Sequence, residues 1–285
     1  MPPIRNVSDT AAWAAVYRAR ESERPDALFR DPYARRLAGE RGEEIARLQS
    51  KRQQNDWAWV GRTVLFDQFI TEQLAQGVDT VVNLAAGLDA RPYRMNLPPS
   101  LRWIEADLPG ILDYKESILA GEKPVCQLER IRVDLADERA RRTLLLDRIA
   151  AESKNALVLS EGLIVYLSSE ANAQLARDLA AVEPIRHWVL DILSPALRKM
   201  LMKQVGAHLQ GANAPLLFAP AEGPSFFEAY GWKVEEVRSP LQFARHANRL
   251  PWLLRLFARL PEPPNAHPGE KRIWSAMCLL RRVGG

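Results

Sequence analysis

Cysteine is scarce in this 285-residue chain: only Cys126 and Cys278 are present, far apart and each beside apolar residues. Two such thiols exclude a disulfide framework and offer no paired-thiol motif for redox chemistry or zinc, so they read as buried thiols in a reducing compartment. Histidine is also sparse, and His187, His208, His246 and His267 match neither a metal site nor a catalytic triad in their spacing. No apolar run is long enough to cross a bilayer, and the N-terminal M-P-P-I-R-N-V-S-D lacks the apolar stretch of a secretory leader. A cytoplasmic protein without a membrane partner is expected. Charge of one sign is missing too. The 39 basic and 35 acidic residues, net +4, are interspersed, so no concentrated patch for nucleic acid stands out. Internal repeats and low-complexity tracts are absent. The 47% hydrophobic and 26% charged residues that remain suit one large-cored domain.

The stretch around which the chain is arranged is D-T-V-V-N-L-A-A-G-L-D-A-R-P-Y-R, from Asp79 to Arg94. Its β-branched run Thr80 to Leu84 reads as a buried parallel strand. Ala85, Ala86 and Gly87 then form a turn whose small side chains let backbone N–H groups approach a ligand. With one glycine rather than three, the dinucleotide fingerprint is not met. The Asp89 carboxylate would repel a pyrophosphate and suit a cationic ligand. S-adenosylmethionine, with a sulfonium, an ammonium and no phosphate, is such a ligand.

Residues 1–75 read as a helical preface. Ser8, Asp9 and Thr10 cap a first helix that Pro25 ends, a second starts at Asp31 and stops at Gly39, and residues 43–75 are helical throughout. Strands at 80–84, 101–106, 126–133, 156–160 and 187–192 then alternate with helices at 109–119, 139–152 and 168–181, and strands at 231–237 and 274–280 bring the total to seven. This rhythm implies an α/β fold, a parallel sheet with helices on both faces and ligands at the carboxyl ends of the strands. Residues 76–193 and 228–285 form the sheet core of a single domain. Residues 194–227 break the rhythm and read as a lid over the site. The apolar segment at 250–261 reads as a helix packed on the sheet.

N-L-A-A-G-L-D-A-R-P-Y-R, with V-D-L at 133–135, S-E-G-L-I-V-Y-L at 160–167 and the N-terminal Y-R-A-R-E-S-E-R-P-D-A-L-F-R-D-P-Y-A, resembles the leucine carboxyl methyltransferase family. The closer likeness is to its bacterial branch, described as polyketide-synthesis-type O-methyltransferases. The motifs run in order from about Ser8 to Tyr166. This resemblance implies a seven-stranded Rossmann-like class I methyltransferase sheet with a helical cap, and S-adenosylmethionine as methyl donor. It implies that Arg62 holds the donor's carboxylate, a task suited to a planar guanidinium, with Arg18 as a second basic partner. Ala85, Ala86 and Gly87 would lie against the methionine portion, and Asp107 or Glu105 would accept the ribose hydroxyls. Asp134 would meet the adenine amine with the Leu135 N–H at the ring edge, and Glu161 would face the ammonium and the transferring methyl. Asp134 and Glu161 also read as helix N-caps. Two departures stand out: Ala85 where many members have glycine, and Ala90 where they have threonine. The extra methyl at Ala85 is expected to fit, at some cost to donor binding.

Methyl transfer from a sulfonium is an in-line displacement, for which the protein must align the acceptor and exclude water. A carboxylate acceptor arrives ionised; a hydroxyl needs a base. Tyr166, as a wall of the acceptor pocket, and His208, as a base in the lid, are the catalytic candidates, against a core tyrosine and an exposed helical histidine. Trp13, Trp57, Trp59 and Trp232 could shape an apolar pocket. An S-adenosylmethionine-dependent O-methyltransferase acting on a carboxylate or hydroxyl of a small apolar metabolite is expected. Its rivals are a non-catalytic donor binder, an NAD-dependent oxidoreductase and an RNA-modifying methyltransferase.

Overall fold

In the computed structural model, which describes residues 7–50, 56–211, 215–251 and 272–284, three helices come first: α1 (Val7–Ser22), α2 (Ala34–Ser50) and α3 (Asp56–Ala75). Next come β1 (Thr80–Leu84), α4 (Arg91–Arg94), β2 (Arg102–Asp107), α5 (Pro109–Ile118), β3 (Gln127–Arg132), α6 (Glu138–Leu144), β4 (Ala156–Ser160), α7 (Ser169–Ala180) and β5 (Ile185–Leu193). The chain closes with α8 (Pro195–Gly211), β6 (Trp232–Arg238), α9 (Pro240–His246) and β7 (Ser275–Arg282). The strands form one sheet in the order β3-β2-β1-β4-β5-β7-β6. β1 to β5 pair in parallel, while β7 runs antiparallel to both β5 and β6.

Side chains alternate along a strand, so each strand feeds two cores. Val81, Trp103, Leu157, Leu159 and Val189 pack with Phe66, Phe69 and Ile70 of α3. Val82, Ile104, Val158, Trp188 and Leu190 pack on the other face with Leu175 and Leu179 of α7. Burial on both faces is why the strand runs are apolar without interruption. A further core joins Trp13, Val16 and Tyr17 of α1 and Leu37 and Ile45 of α2 to Leu88 and Ile111. Of the helical preface, α1 and α2 thus lie across the carboxyl ends of β1 and β2, while α3 covers one face of the sheet. No described helix is long and apolar enough to cross a membrane.

Several local expectations shift. Asp31 does not open the second helix: it is buried, pairs with Arg18 at 2.9 Å, and α2 starts at Ala34. Gly39, with φ 57° and ψ −174°, leaves helical geometry as expected of a stop, and the stretch from Ala34 to Ser50 is two helical pieces that meet at a kink there. Of the segment 194–227, Phe218 and Phe227 are buried against Trp188 in the main core, which leaves α8 as the part open to a capping role. Nearly all of the apolar segment at 250–261 lies outside the described residues, as does His267.

Candidate functional site

The sheet order changes direction between β1 and β4, and in sheets of this kind ligands sit beyond the carboxyl ends of the strands at that point. A cavity lies there. Its wall comes from α1 (Thr10, Ala11, Ala14, Arg18), α3 (Trp59, Arg62), the turn from Ala85 to Asp89, and Arg91, Asp107, Ile111, Glu161, Gly162 and Tyr166.

The turn after β1 is held from the neighbouring strand. Asp107, the last residue of β2, accepts the Gly87 N–H on Oδ2 and the Leu108 N–H on Oδ1, each at 2.7 Å. Burial pushes its carboxyl above the ordinary range, although these two bonds and the Lys115 charge pull the other way. Gly87 has φ +49°, and a Cβ there would stand 3.1 Å from the Cβ of Ala11, so α1 packs closely on the turn and a side chain at this position would be both strained and crowded. Ala85 also adopts a left-handed backbone, with φ 55°. That conformation costs a residue with a Cβ about 1–2 kcal/mol, the physical reason for a glycine preference at this position. Ala85→Gly is therefore expected to raise stability by roughly 0.5–1 kcal/mol, after the greater unfolded-state freedom of glycine is subtracted. Scanning calorimetry should show a Tm higher by about 1–3 °C; a lower Tm would mean that the turn is not held left-handed.

Beneath the turn lies a network of ion pairs. Arg91, only 3% exposed, reaches Asp67 at 2.6 Å, Asp89 at 2.8 Å and Glu161 at 2.9 Å. Arg94 adds a second pair to Asp67 at 2.7 Å. Arg62 lies 3.0 Å from Glu161 and 3.2 Å from Asp191, its guanidinium 4.6 Å from the centre of the Trp59 ring. Burial opposes charge throughout, yet the carboxylates of Asp89, Glu161 and Asp67 hold Arg91 well above its usual range. Asp89 is likewise held well below the ordinary carboxylate range: burial would raise it, but Arg91, Lys115, Arg94 and Arg18 outweigh that effect. Asp89 also accepts the Asn83 amide at 2.8 Å, so its charge is compensated inside the protein and fixes the turn.

Of the residues expected at the site, Arg18, Arg62, Ala85, Ala86, Gly87, Asp107, Glu161 and Tyr166 are brought together on the cavity wall. Glu105 is not: it is fully buried and pairs with Lys115 at 2.7 Å and Arg130 at 2.9 Å, so of the two β2 carboxylates only Asp107 reaches the cavity. Asp134 and Leu135 are outside its lining. Asp134 is exposed and accepts the Ala136 N–H at 2.9 Å in a turn ahead of α6; the helix cap also read for it belongs to Asp137, whose Oδ1 accepts the Ala140 N–H at 3.0 Å. Leu135 packs on the main core, and its carbonyl accepts from Arg141 at 2.6 Å. Glu161 caps no helix; its oxygens face Arg62 and Arg91. Burial raises the Tyr166 phenol above its usual range, against a hydrogen bond with Thr10 and the charge of Arg62. The side chain of His208 lies outside the described residues. Sequence reasoning missed Asp67, Arg91 and Asp191. A signal was available for the two acids: each interrupts an apolar run, F-D-Q-F and W-V-L-D-I-L, where an unpaired charge would be costly.

A family model described as leucine carboxyl methyltransferase matches residues 11–180. A relative from Parafrankia sp. (strain EAN1pec), named as an inferred S-adenosyl-L-methionine-dependent methyltransferase, is 32% identical over 246 residues, which cover 82% of this chain and 79% of that one. A similarly named protein of Streptomyces coelicolor is 36% identical over 178 residues, covering 57% of this chain and 60% of the relative's length. The crystal structure of an inferred methyltransferase from Thermobifida fusca aligns with a TM-score of 0.59 over 99% of this chain and 96% of its own, at 13% identity, a likeness of fold alone.

Proposed function

The chain belongs to the leucine carboxyl methyltransferase family, and from that premise we propose that it moves a methyl group from S-adenosylmethionine to an oxygen, carboxylate or hydroxyl, of a small apolar metabolite. Its sheet is the class I methyltransferase fold, and the chain is an S-adenosylmethionine-dependent methyltransferase.

Asp107 carries the reading. Each of its oxygens takes one backbone N–H, from Gly87 of the turn and from Leu108 next in the chain, and each keeps a lone pair to accept one of two vicinal ribose hydroxyls. Asp134 and Leu135 follow at the end of β3, just past Arg132, the register partner of Asp107, which suits them to the adenine beyond the ribose. A zwitterionic head can satisfy both members of the Arg62–Glu161 pair, its carboxylate on the guanidinium and its ammonium on the carboxylate. Arg18, on the same wall, is the second cation for that carboxylate. The small residues Ala11, Ala14, Ala85, Ala86 and Gly87 leave room for the chain between head and ribose.

The donor supplies a methyl group on a positively charged leaving sulfur; the protein aligns the acceptor and keeps water out. Tyr166, held protonated by burial, is suited to donate a hydrogen bond to the acceptor oxygen rather than to take its proton. A carboxylate acceptor needs no more than that. Trp13, Leu216, Leu201 and Met202 share an apolar cluster with Tyr166 and Trp59, which favours an apolar acceptor body. α8 is tied to this wall: Arg198 donates to the Leu216 carbonyl at 2.7 Å, and the Leu217 N–H donates to that of Val165 at 2.8 Å. We assign α8 the lid role on that basis.

Methyl-tritiated donor supplied with apolar carboxylic acids and the matching alcohols tests the acceptor class. Base-labile label in the acid products is the expected result, base-stable label in the alcohols would mark a hydroxyl acceptor, and transfer to neither would refute O-methylation of such molecules.

A further inference from the structure

Asp191 stands where an apolar strand should not carry a charge. It lies inside β5 between Leu190, fully buried, and Ile192, 3% exposed. Ser160 pairs with Leu190, so Asp191 stands level with Glu161, and side-chain alternation puts it on the same face as Val189, the face that α3 covers. A partly buried carboxylate there is costly unless groups reach it. Oδ1 accepts the Gly162 N–H at 2.6 Å, and Oδ2 lies 3.2 Å from Nη1 of Arg62. Both partners belong to the cavity wall; Asp191 does not. Gly162 has φ +68°, and a Cβ there would lie 3.3 Å from the same Nη1, so the turn passes directly against the guanidinium. One carboxylate thus fixes both the Arg62 fork and the turn that carries Glu161.

We propose that Asp191 is a positioning residue for the amino-acid head of the donor: it holds Arg62 and the Glu161–Gly162 turn at the spacing that receives a carboxylate and an ammonium, without itself touching the ligand. This rests on the donor reading of the cavity given above. An arginine side chain is long and rotatable, and a ligand that must first order it loses affinity. Asp191 supplies that order in advance. Without its charge, Arg62 keeps Glu161 as its remaining anion and swings toward it, closing the pair that the zwitterion must enter.

The effect should therefore fall on one half of the ligand. Calorimetric titration of wild type, Asp191→Asn and Arg62→Ala with S-adenosylhomocysteine and with 5′-methylthioadenosine, which lacks the amino-acid head, separates the halves. Asp191→Asn keeps an acceptor for the Gly162 N–H but loses the charge. It is expected to weaken S-adenosylhomocysteine roughly 10- to 100-fold, with 5′-methylthioadenosine changed less than about twofold, and Arg62→Ala should show the same selectivity. Asp191→Glu, which keeps the charge one methylene further out, should give a smaller loss of the same kind and serves the comparison should the Asn variant not fold. Equal losses for both ligands would reduce Asp191 to a structural role, and no loss for either would remove the positioning role altogether. Wild type that binds neither ligand would instead overturn the donor reading, and the proposal with it.

Discussion

Asp107→Ala should weaken S-adenosylmethionine about 100- to 1,000-fold, more than any other single change in the cavity wall. Hydrogen bonds to a charged acceptor contribute about 1.5–3 kcal/mol each, and two ribose hydroxyls on one carboxylate therefore bring the sum to about 3–4 kcal/mol or more. The carboxylate also holds the Gly87 N–H at 2.7 Å, so its loss frees the turn at the same time. Asp107→Asn, which keeps one acceptor and presents a donor in place of the other, should lose less. Titration calorimetry on both variants decides the matter. Affinity within about fivefold of wild type in the Ala variant would move the ribose away from β2.

The largest effect on stability is expected at Arg91. Its guanidinium is nearly enclosed and faces the carboxylates of Asp67, Asp89 and Glu161. Arg91→Met keeps much of the volume but leaves three acids to share the remaining cations. Removing one partner of a buried ionic network costs about 3–5 kcal/mol, which for a chain of this size lowers Tm by about 6–15 °C. The pH dependence has a definite sign. Asp89 is held well below the ordinary range in the folded protein, so it contributes stability above its unfolded pKa of about 3.9 and loses that contribution as pH falls toward the folded value. The gap in Tm between wild type and variant should thus be wide at neutral pH and narrow in acid. A shift under about 2 °C at pH 7 would mean that the network is redundant.

Strand positions were readable because strands buried on both faces leave unbroken apolar runs such as T-V-V-N-L and A-L-V-L-S, and both runs are observed with the expected bounds. Pairing was not. That β7 inserts between β5 and β6 and runs antiparallel depends on contacts between segments far apart in sequence, which no local pattern encodes. The same division holds at the site. Asp107 and Glu161 stand at strand ends, where a sheet of this kind places its ligands. Arg62 is implied by the family resemblance alone, because an arginine on an amphipathic helix otherwise reads as a surface residue. The choice between Glu105 and Asp107 is not legible locally, since both project to the same side of β2; it is made by Lys115 and Arg130, which claim Glu105 deeper in the sheet. Asp89 shows the limit of reasoning from charge alone. Its carboxylate in the turn suits a cationic ligand, but Arg91, two residues further on, neutralises it from within.

The most direct measurement is calorimetric titration of the chain with S-adenosylmethionine, S-adenosylhomocysteine and NAD. Micromolar binding of both adenosyl ligands, abolished by Asp107→Ala, and none of NAD, is the result that a donor site at the ends of β1, β2 and β4 requires. Binding of NAD, or adenosyl-ligand binding that survives the loss of Asp107, would contradict it.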